Sequence, residues 1–403
     1  MKKILIIGSS PAGVKAAEEI RQKDKESKIS MLSVDGFYPY DRNLFADYLS
    51  KDVLLNDLYC FPEKFYQDNK IDVICDRQIT RINFNRCKVF TEEKEQIDYD
   101  VLVICDLPLN AYSDIKGKAR SGVFGMKKLK DIEGISKTLD TVDTISVQSN
   151  SVYGLNLAVA LAKSGKEIYL ILGENNFLSS CFDDSVVKNV VNQLDEKGIH
   201  LVLNESIVEV LGEKDAKAIK LRSKKVIVSQ MVIFDVNADL RLLKDSNVNS
   251  NTRIIVNSDF KTSIDNVYAV DSIASTEDQL LIKNNITNKE ALQEQGRVVA
   301  SVIFDEKIEG VYPLLVESVK YDDFSISCVG NVRDTEETSQ KQRFDEENRT
   351  FRKVFLKDNC VVGAVLLNQE KEVDKYLRLI KEKDNLISSD VAYFDQVSEV
   401  VSQ

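Results

Sequence analysis

Residues 3–13 read KILIIGSSPAG and run without a break into the helical pattern VKAAEEIRQ. An apolar run, a glycine turn and a helix, in that order, commit a chain to a βαβ unit. A buried strand must cross over to reach a parallel neighbour, and the tight turn before the crossover helix needs a residue without a Cβ. The same turn aims the helix N-terminus at whatever sits above the strand, which makes it a ready anion site. The layout recurs: TISVQSNSVYG at 144–154 leads into LNLAVALAKSG, with almost every glycine replaced. Two units were laid out for two nucleotides, and the second has lost the glycines that the first keeps.

The rest of the chain follows this duplicated plan. Strand-like runs at 3–7, 29–33, 72–75 and 101–105 alternate with helical patterns at 12–22 and 61–68, and RINFNRCKVFTEEKEQIDYDVLVIC reads as an antiparallel meander returning into a buried strand. A second series has strands at 144–147, 167–172, 200–203 and 230–234 and helices at 154–164 and 184–198, again followed by a meander. After RIIVNSDFKTSIDNVYAVDSIAS and a helix over 289–304, a last unit of strands precedes a helix at 371–382, and its charged stretch DTEETSQKQRFDEEN reads as a solvated loop. The 403 residues suffice for two or three domains with real cores. A net charge of −11 argues against nucleic acid, and no apolar span is long enough for a membrane helix. The start MKKILIIG has a signal-like charge, but its apolar stretch is short and is better used as the first strand. Seven scattered cysteines without a CxxC point to a reducing cytoplasm rather than a disulfide scaffold or a zinc site.

In the first turn, Gly8 permits the sharp bend and Gly13 lets the helix pack on the strand, with Ser10, Pro11 and Ala12 between them. Ser10 stands where a further glycine would let backbone approach a phosphate, and its hydroxyl can itself donate. Asp35 lies 22 positions beyond Gly13, at the end of the next strand, where a carboxylate holds a ribose hydroxyl.

These residues, with FYPYDRNLFADYL, LYCFPEKFYQDNKIDV, TSIDNVYAVDSIAS and EALQEQGRVVA, resemble the FAD-dependent pyridine nucleotide (disulfide) oxidoreductases. The nearest branch is that of the NADH-rubredoxin reductases and nitrite reductase flavin domains, and the likeness spans essentially the whole chain. It implies an α/β protein of two Rossmann-like, three-layer domains plus a small α+β C-terminal domain. The FAD-binding-like domain would take 1–112 and 240–305, the NAD(P)-binding-like domain 113–239, and the C-terminal domain 306–403. By position, the turn Gly8, Ser10, Pro11, Ala12 and Gly13 would face the FAD pyrophosphate and Asp35 the adenosine ribose. Arg42 would lie near pyrophosphate or flavin, the backbone of Ile79 near adenine, and Gln295 and Gly296 near the isoalloxazine. For Arg42 a surface salt bridge is an equal alternative.

The chain also departs from the family pattern. Cys105, Asp106 and Leu107 replace an alanine–threonine–glycine turn. In YAVDS, Asp271 and Ser272 stand where glycine and aspartate are expected, so either could carry the flavin-phosphate contact. In the second unit Ser149, Asn150, Ser151, Val152 and Tyr153 precede the surviving Gly154, Leu172 replaces the strand-end acid, Glu174 lies past it, and Asp235 and Asn237 replace glycine and arginine. A Cβ at the close-approach position keeps backbone amides from a pyrophosphate, so these residues count against NAD(P)H. DRNLFADYL lacks the family's redox cysteine. Cys105 reads as a buried structural thiol and His200 as a packed side chain.

Two functions stay open at this stage. One is a flavoprotein that passes electrons to a small redox protein or another acceptor, with an impaired NAD(P)H site, its electrons coming from a nicotinamide or a partner redox protein. The other is an inactive descendant acting as a structural or binding subunit. A small electron-transfer protein, a partner redox subunit and a second copy of the chain are the partners to expect. No catalytic side chain or metal site is legible.

Overall fold

The computed structural model describes residues 1–75, 77–107, 115–174, 176–235, 240–243, 248, 253–276, 289–306, 316–332 and 335–395. Two compact units divide the chain: Met1–Thr141 with Ile233–Pro313, and Val142–Val232 with Leu314–Gln403.

The first unit is built on a parallel sheet in the order Val267–Ala269, Val101–Ile104, Lys3–Ile7, Lys28–Leu32, Ile71–Ile74. Ile4 to Ile7 and Leu102 to Ile104 are at most 1% exposed, as expected of strands covered on both faces and therefore apolar without alternation. The first helix, Pro11–Lys23, begins with Ser10 as N-cap, its Oγ accepting from the Gly13 amide at 3.4 Å, and with Pro11 where a missing N–H costs nothing. At the helix end the buried Arg21 guanidinium donates to the carbonyls of Asp24, Ser27, Asn69 and Lys70 at 2.8–3.1 Å. One side chain thereby fastens the helix to the connection before the fifth strand. The helix Lys289–Ile303 lies on the first helix so closely that a Cβ on Gly296 would sit 2.2 Å from the Ala12 carbonyl oxygen. The meander Ile79–Asn83, Lys88–Thr91, Gln96–Asp98 forms a separate antiparallel sheet.

The second unit repeats the plan with parallel strands Ile199–Leu203, Glu167–Leu172 and Thr144–Gln148 side by side, and a helix at Val152–Lys163. That helix is buried along nearly its whole length. Its neighbours include the C-terminal antiparallel sheet, ordered Val316–Tyr321, Phe324–Gly330, Cys360–Leu367, Thr350–Lys357, Ser339–Asp345. The strongly amphipathic helix Val373–Glu382 seals this sheet by inserting Tyr376 and Leu379 among Val329, Val354, Ala364 and Leu366.

Two expectations change here. The charged stretch 334–348 is not simply a loop: Ser339–Asp345 is the edge strand of that sheet. Lys341, Arg343 and Asp345 along it are half-buried, with Arg343 donating to the Tyr393 carbonyl at 2.9 Å, so charge here marks an edge strand rather than an absence of structure. His200 does not pack inside either; it lies half-buried, with Nδ1 2.5 Å from Asp195 and Nε2 3.4 Å from Glu167.

Candidate functional site

The first strand delivers Gly8 to a bend at φ +109°, where the Gly8 amide donates to Leu32 O at 3.0 Å. A Cβ at Gly8 would lie 2.6 Å from the Asp106 amide nitrogen, and one at Gly13 would lie 2.8 Å from Cys105 Sγ. Both glycines are therefore dictated by the neighbouring strand end, where the Cys105 and Asp106 amides share Ile7 O at 2.8 and 3.2 Å. The Tyr40 amide donates to Ser9 O at 3.1 Å, which pins the PYDR segment against the turn and explains why Arg42 arrives there.

Asp35 is half-buried. Its carboxylate accepts from the buried Tyr40 hydroxyl and, at 3.3 Å, from Ser33 Oγ. Tyr40 was not singled out from the sequence; its only signal was its place in the tyrosine–x–arginine turn. The Tyr40 hydroxyl also accepts from the Leu129 amide at 3.3 Å, so it holds the acid at the strand end in one orientation. Arg42 is half-buried and ion-paired. Its guanidinium pairs with Asp106, whose side chain is 8% exposed and whose other oxygen accepts from the Leu107 amide at 2.9 Å.

Asp271 takes the left-handed conformation, φ +66°, that suits a glycine and that Asp tolerates better than most residues. Its amide donates to Gln295 Oε1 at 2.7 Å, and its carboxylate accepts from the Ser272 amide. Burial pushes the Asp271 carboxyl up; the Ser272 amide, Arg42 and Ser10 oppose that shift, and Asp106 adds to it. Burial also pushes the Cys105 thiol up, with Asp271 and Asp106 reinforcing it and Ser10 opposing, so Cys105 is a packed structural thiol. Gln295 is fully buried, and its Nε2 makes no hydrogen bond to the described residues. Ser10, Arg42, Cys105, Asp106, Asp271, Ser272 and Gln295 thus gather around the N-terminus of the first helix. Gly296 serves helix packing, and Ile79 begins a strand of the separate sheet, opposite Thr91.

The second turn keeps one hydrogen bond of the first but not the positive φ that Gly8 adopts. The Ser149 amide donates to Ile171 O at 3.2 Å, as Gly8 does to Leu32. Ser149 Oγ, however, lies 2.9 Å from Ser151 Oγ and accepts from the Ser151 amide at 3.2 Å, while Ser151 Oγ accepts from the Gly154 amide at 3.3 Å. Asn150 Oδ1 takes the Gly173 amide at 2.7 Å. Ser151 thus caps its helix as Ser10 caps the first one, and Ser149 adds a contact to the Ser151 amide. Leu172 is fully buried, and Glu174 pairs with Arg222 at 2.8 Å. In the first unit, Asp235 pairs with Lys127 at 2.9 Å; Asn237 lies outside the described residues. Among the described residues no cluster of metal-ligating side chains occurs, and no helix is long and apolar enough to cross a membrane.

Residues 2–296 match the sequence profile of the pyridine nucleotide-disulphide oxidoreductases. The chain belongs to this family. Residues 316–384 match the rubredoxin NAD+ reductase C-terminal domain, so the antiparallel sheet has a family assignment of its own. The NADH-rubredoxin oxidoreductase of Clostridium acetobutylicum is 25% identical over 96% of this chain and 97% of its own length. The assimilatory nitrate reductase electron transfer subunit of Bacillus subtilis is 21% identical over 95% of this chain. The chain spans 50% of the length of that subunit and 49% of that of a Bacillus subtilis nitrite reductase. A ferredoxin reductase from Rhodopseudomonas palustris superposes with a TM-score of 0.81 at 18% identity, covering 99% of both chains, which establishes the oxidoreductase fold, with its C-terminal domain, over the whole length.

Proposed function

We propose that this family member binds FAD at the first turn and hands electrons to a small redox protein. The observation that carries the reading is the intact first turn: Gly8 at φ +109°, Ser10 capping the helix, and Asp35 held at the next strand end. A helix N-terminus with small residues around it fits a pyrophosphate, and an oriented carboxylate fits a ribose. The unpartnered Nε2 of Gln295 gives a buried donor in the same region. FAD, when bound, supplies the redox chemistry, and the protein's part is to hold and orient it. Ser10 and the first-helix amides would face phosphate, Asp35 the ribose and Gln295 the ring system. The relatives named for rubredoxin and for nitrate reductase electron transfer support an acceptor that is itself a redox protein.

At the second turn the reading is that NAD(P)H does not dock in the family manner, because Ser149 places a side chain where the first turn has Gly8 and takes up the Ser151 amide. Electrons would then enter from a partner redox protein. A second reading, a descendant without redox activity, is favoured by one specific feature: Asp106 neutralises Arg42 and, with Asp271, adds negative charge where phosphate would bind.

The visible spectrum of the purified protein separates these readings. Flavin bands, or their appearance on adding FAD, support the first; a colourless protein that takes up no FAD sinks it. Prompt anaerobic bleaching by NADH would overturn the reading of the second turn.

A further inference from the structure

Outside the candidate site, within the second unit, two cysteine thiols face each other. Cys181 closes the short helix Phe177–Cys181, Cys328 lies in the strand Phe324–Gly330, and their sulfur atoms are 3.8 Å apart although 147 positions separate them. Both are buried, at 4% and 5% exposure. A disulfide needs sulfur atoms about 2.05 Å apart, so closure calls for an approach of about 2 Å, within reach of side-chain rotation and a small helix shift.

We propose that Cys181 and Cys328 form a reversible redox pair that ties the helix after the second turn to the C-terminal sheet. On oxidation the two S–H bonds break and one S–S bond forms. Hydrogen peroxide is the oxidant: it converts one thiol to a sulfenic acid with release of one water, and the facing thiol then displaces a second water as the disulfide forms. Burial leaves little room for a bulky adduct on either sulfur, while the partner thiol is already in contact, so the disulfide is the favoured oxidised product.

The bond would reach the second turn through existing contacts. The Phe177 amide, first in the helix, donates to Asn150 O at 3.0 Å, and Asn150 Oδ1 accepts from the Gly173 amide. Phe182, next after Cys181, meets Phe351 of the same C-terminal sheet edge-on, with ring centroids 5.5 Å apart. Fixing Cys181 to Cys328 therefore clamps the helix at its end and restrains the loop that holds Asn150. The pairing stands whether or not flavin binds.

The test uses the whole 403-residue chain, reduced, then treated under native conditions with hydrogen peroxide, and quenched by alkylation. Non-reducing peptide mass spectrometry should find a Cys181–Cys328 linked peptide, with both of these thiols protected from alkylation in denaturant and regained with dithiothreitol. The oxidised protein should melt at a higher temperature, a shift absent from Cys328→Ser and from Cys181→Ala. Exposed Cys87 is the internal control. Full modification of Cys87 with no 181–328 link, or a link that forms only after denaturation, overturns the proposal. The wild-type cross-link decides the matter even where a variant fails to fold.

Discussion

Replacing Asp106 by Asn should make FAD bind more tightly, and the structure sets the scale. Asp106 holds the Arg42 guanidinium in an ion pair with side-chain exposures of 8% and 24%. A diphosphate arriving at the first turn meets the Asp106 carboxylate as a like charge and must compete with it for Arg42. Two unit charges at roughly 5 Å interact by about 3 kcal/mol at an effective dielectric constant of ~20. Partial exposure of Arg42 and salt reduce this to about 1.5–2 kcal/mol, a gain in affinity of about 10- to 30-fold. Asn keeps the size and the oxygen that accepts from the Leu107 amide, so the strand end keeps its geometry. The apoprotein should lose stability at the same time, since the Arg42–Asp106 ion pair is lost, by an amount below the roughly 3–5 kcal/mol of a fully buried pair. FAD fluorescence quenching at fixed ionic strength measures the affinity, and thermal melts with and without FAD measure the linkage. Arg42→Ala alone and combined with Asp106→Asn closes a double-mutant cycle. A folded Asp106→Asn protein that binds FAD no better than wild type refutes the assignment of Arg42 to phosphate.

Three further outcomes follow from other parts of the fold. Asp271 has a carboxyl pushed up by burial, so the folded state holds its proton more tightly than the unfolded state does. Its contribution to stability is present at acid pH and is lost as pH rises from the ordinary carboxylate range through the raised value. Asp271→Asn, which also tolerates φ +66°, should therefore melt higher than wild type at pH 7, with the difference shrinking toward acid pH as the wild-type carboxyl takes up its proton. The double change Ser149→Gly, Ser151→Gly removes the side chains that cap the second turn's amides. It should increase the rate of flavin reduction by NADH in stopped-flow, and an unchanged rate would count against the self-capped turn as the obstacle. In the C-terminal domain, Asp390 is 1% exposed and accepts from Arg352 and Lys375, both at 2.8 Å. Asp390→Ala leaves two cations without it and should cost about 3 kcal/mol in chemical denaturation, while Lys375→Ala, at 21% exposure, should cost much less.

Several features needed no tertiary information. The order of apolar run, glycine turn and helix fixed both βαβ units, because turn sterics and strand burial are local demands that a sequence writes directly. The absence of glycine at 149–153 and of an acid at 172 was equally plain. The solvated-loop reading of 334–348 failed on a point that no local pattern carries. A run rich in charge is stable as a strand when the next strand, Thr350–Lys357, supplies its hydrogen bonds on one side.

What only the folded chain decided are the pairings across sequence distance. Asp106 reads as a missing threonine, yet it meets Arg42 from 64 residues away because two strand ends and the PYDR segment converge on one turn. Tyr40 orients Asp35, Gln295 holds the Asp271 loop, and Cys181 finds Cys328 by the same kind of convergence. The sequence by itself determined the backbone scaffold, since backbone conformation and burial follow from neighbouring residues. The tertiary structure decided which charges cancel and which thiols touch, since those energies depend on distance in space and not along the chain.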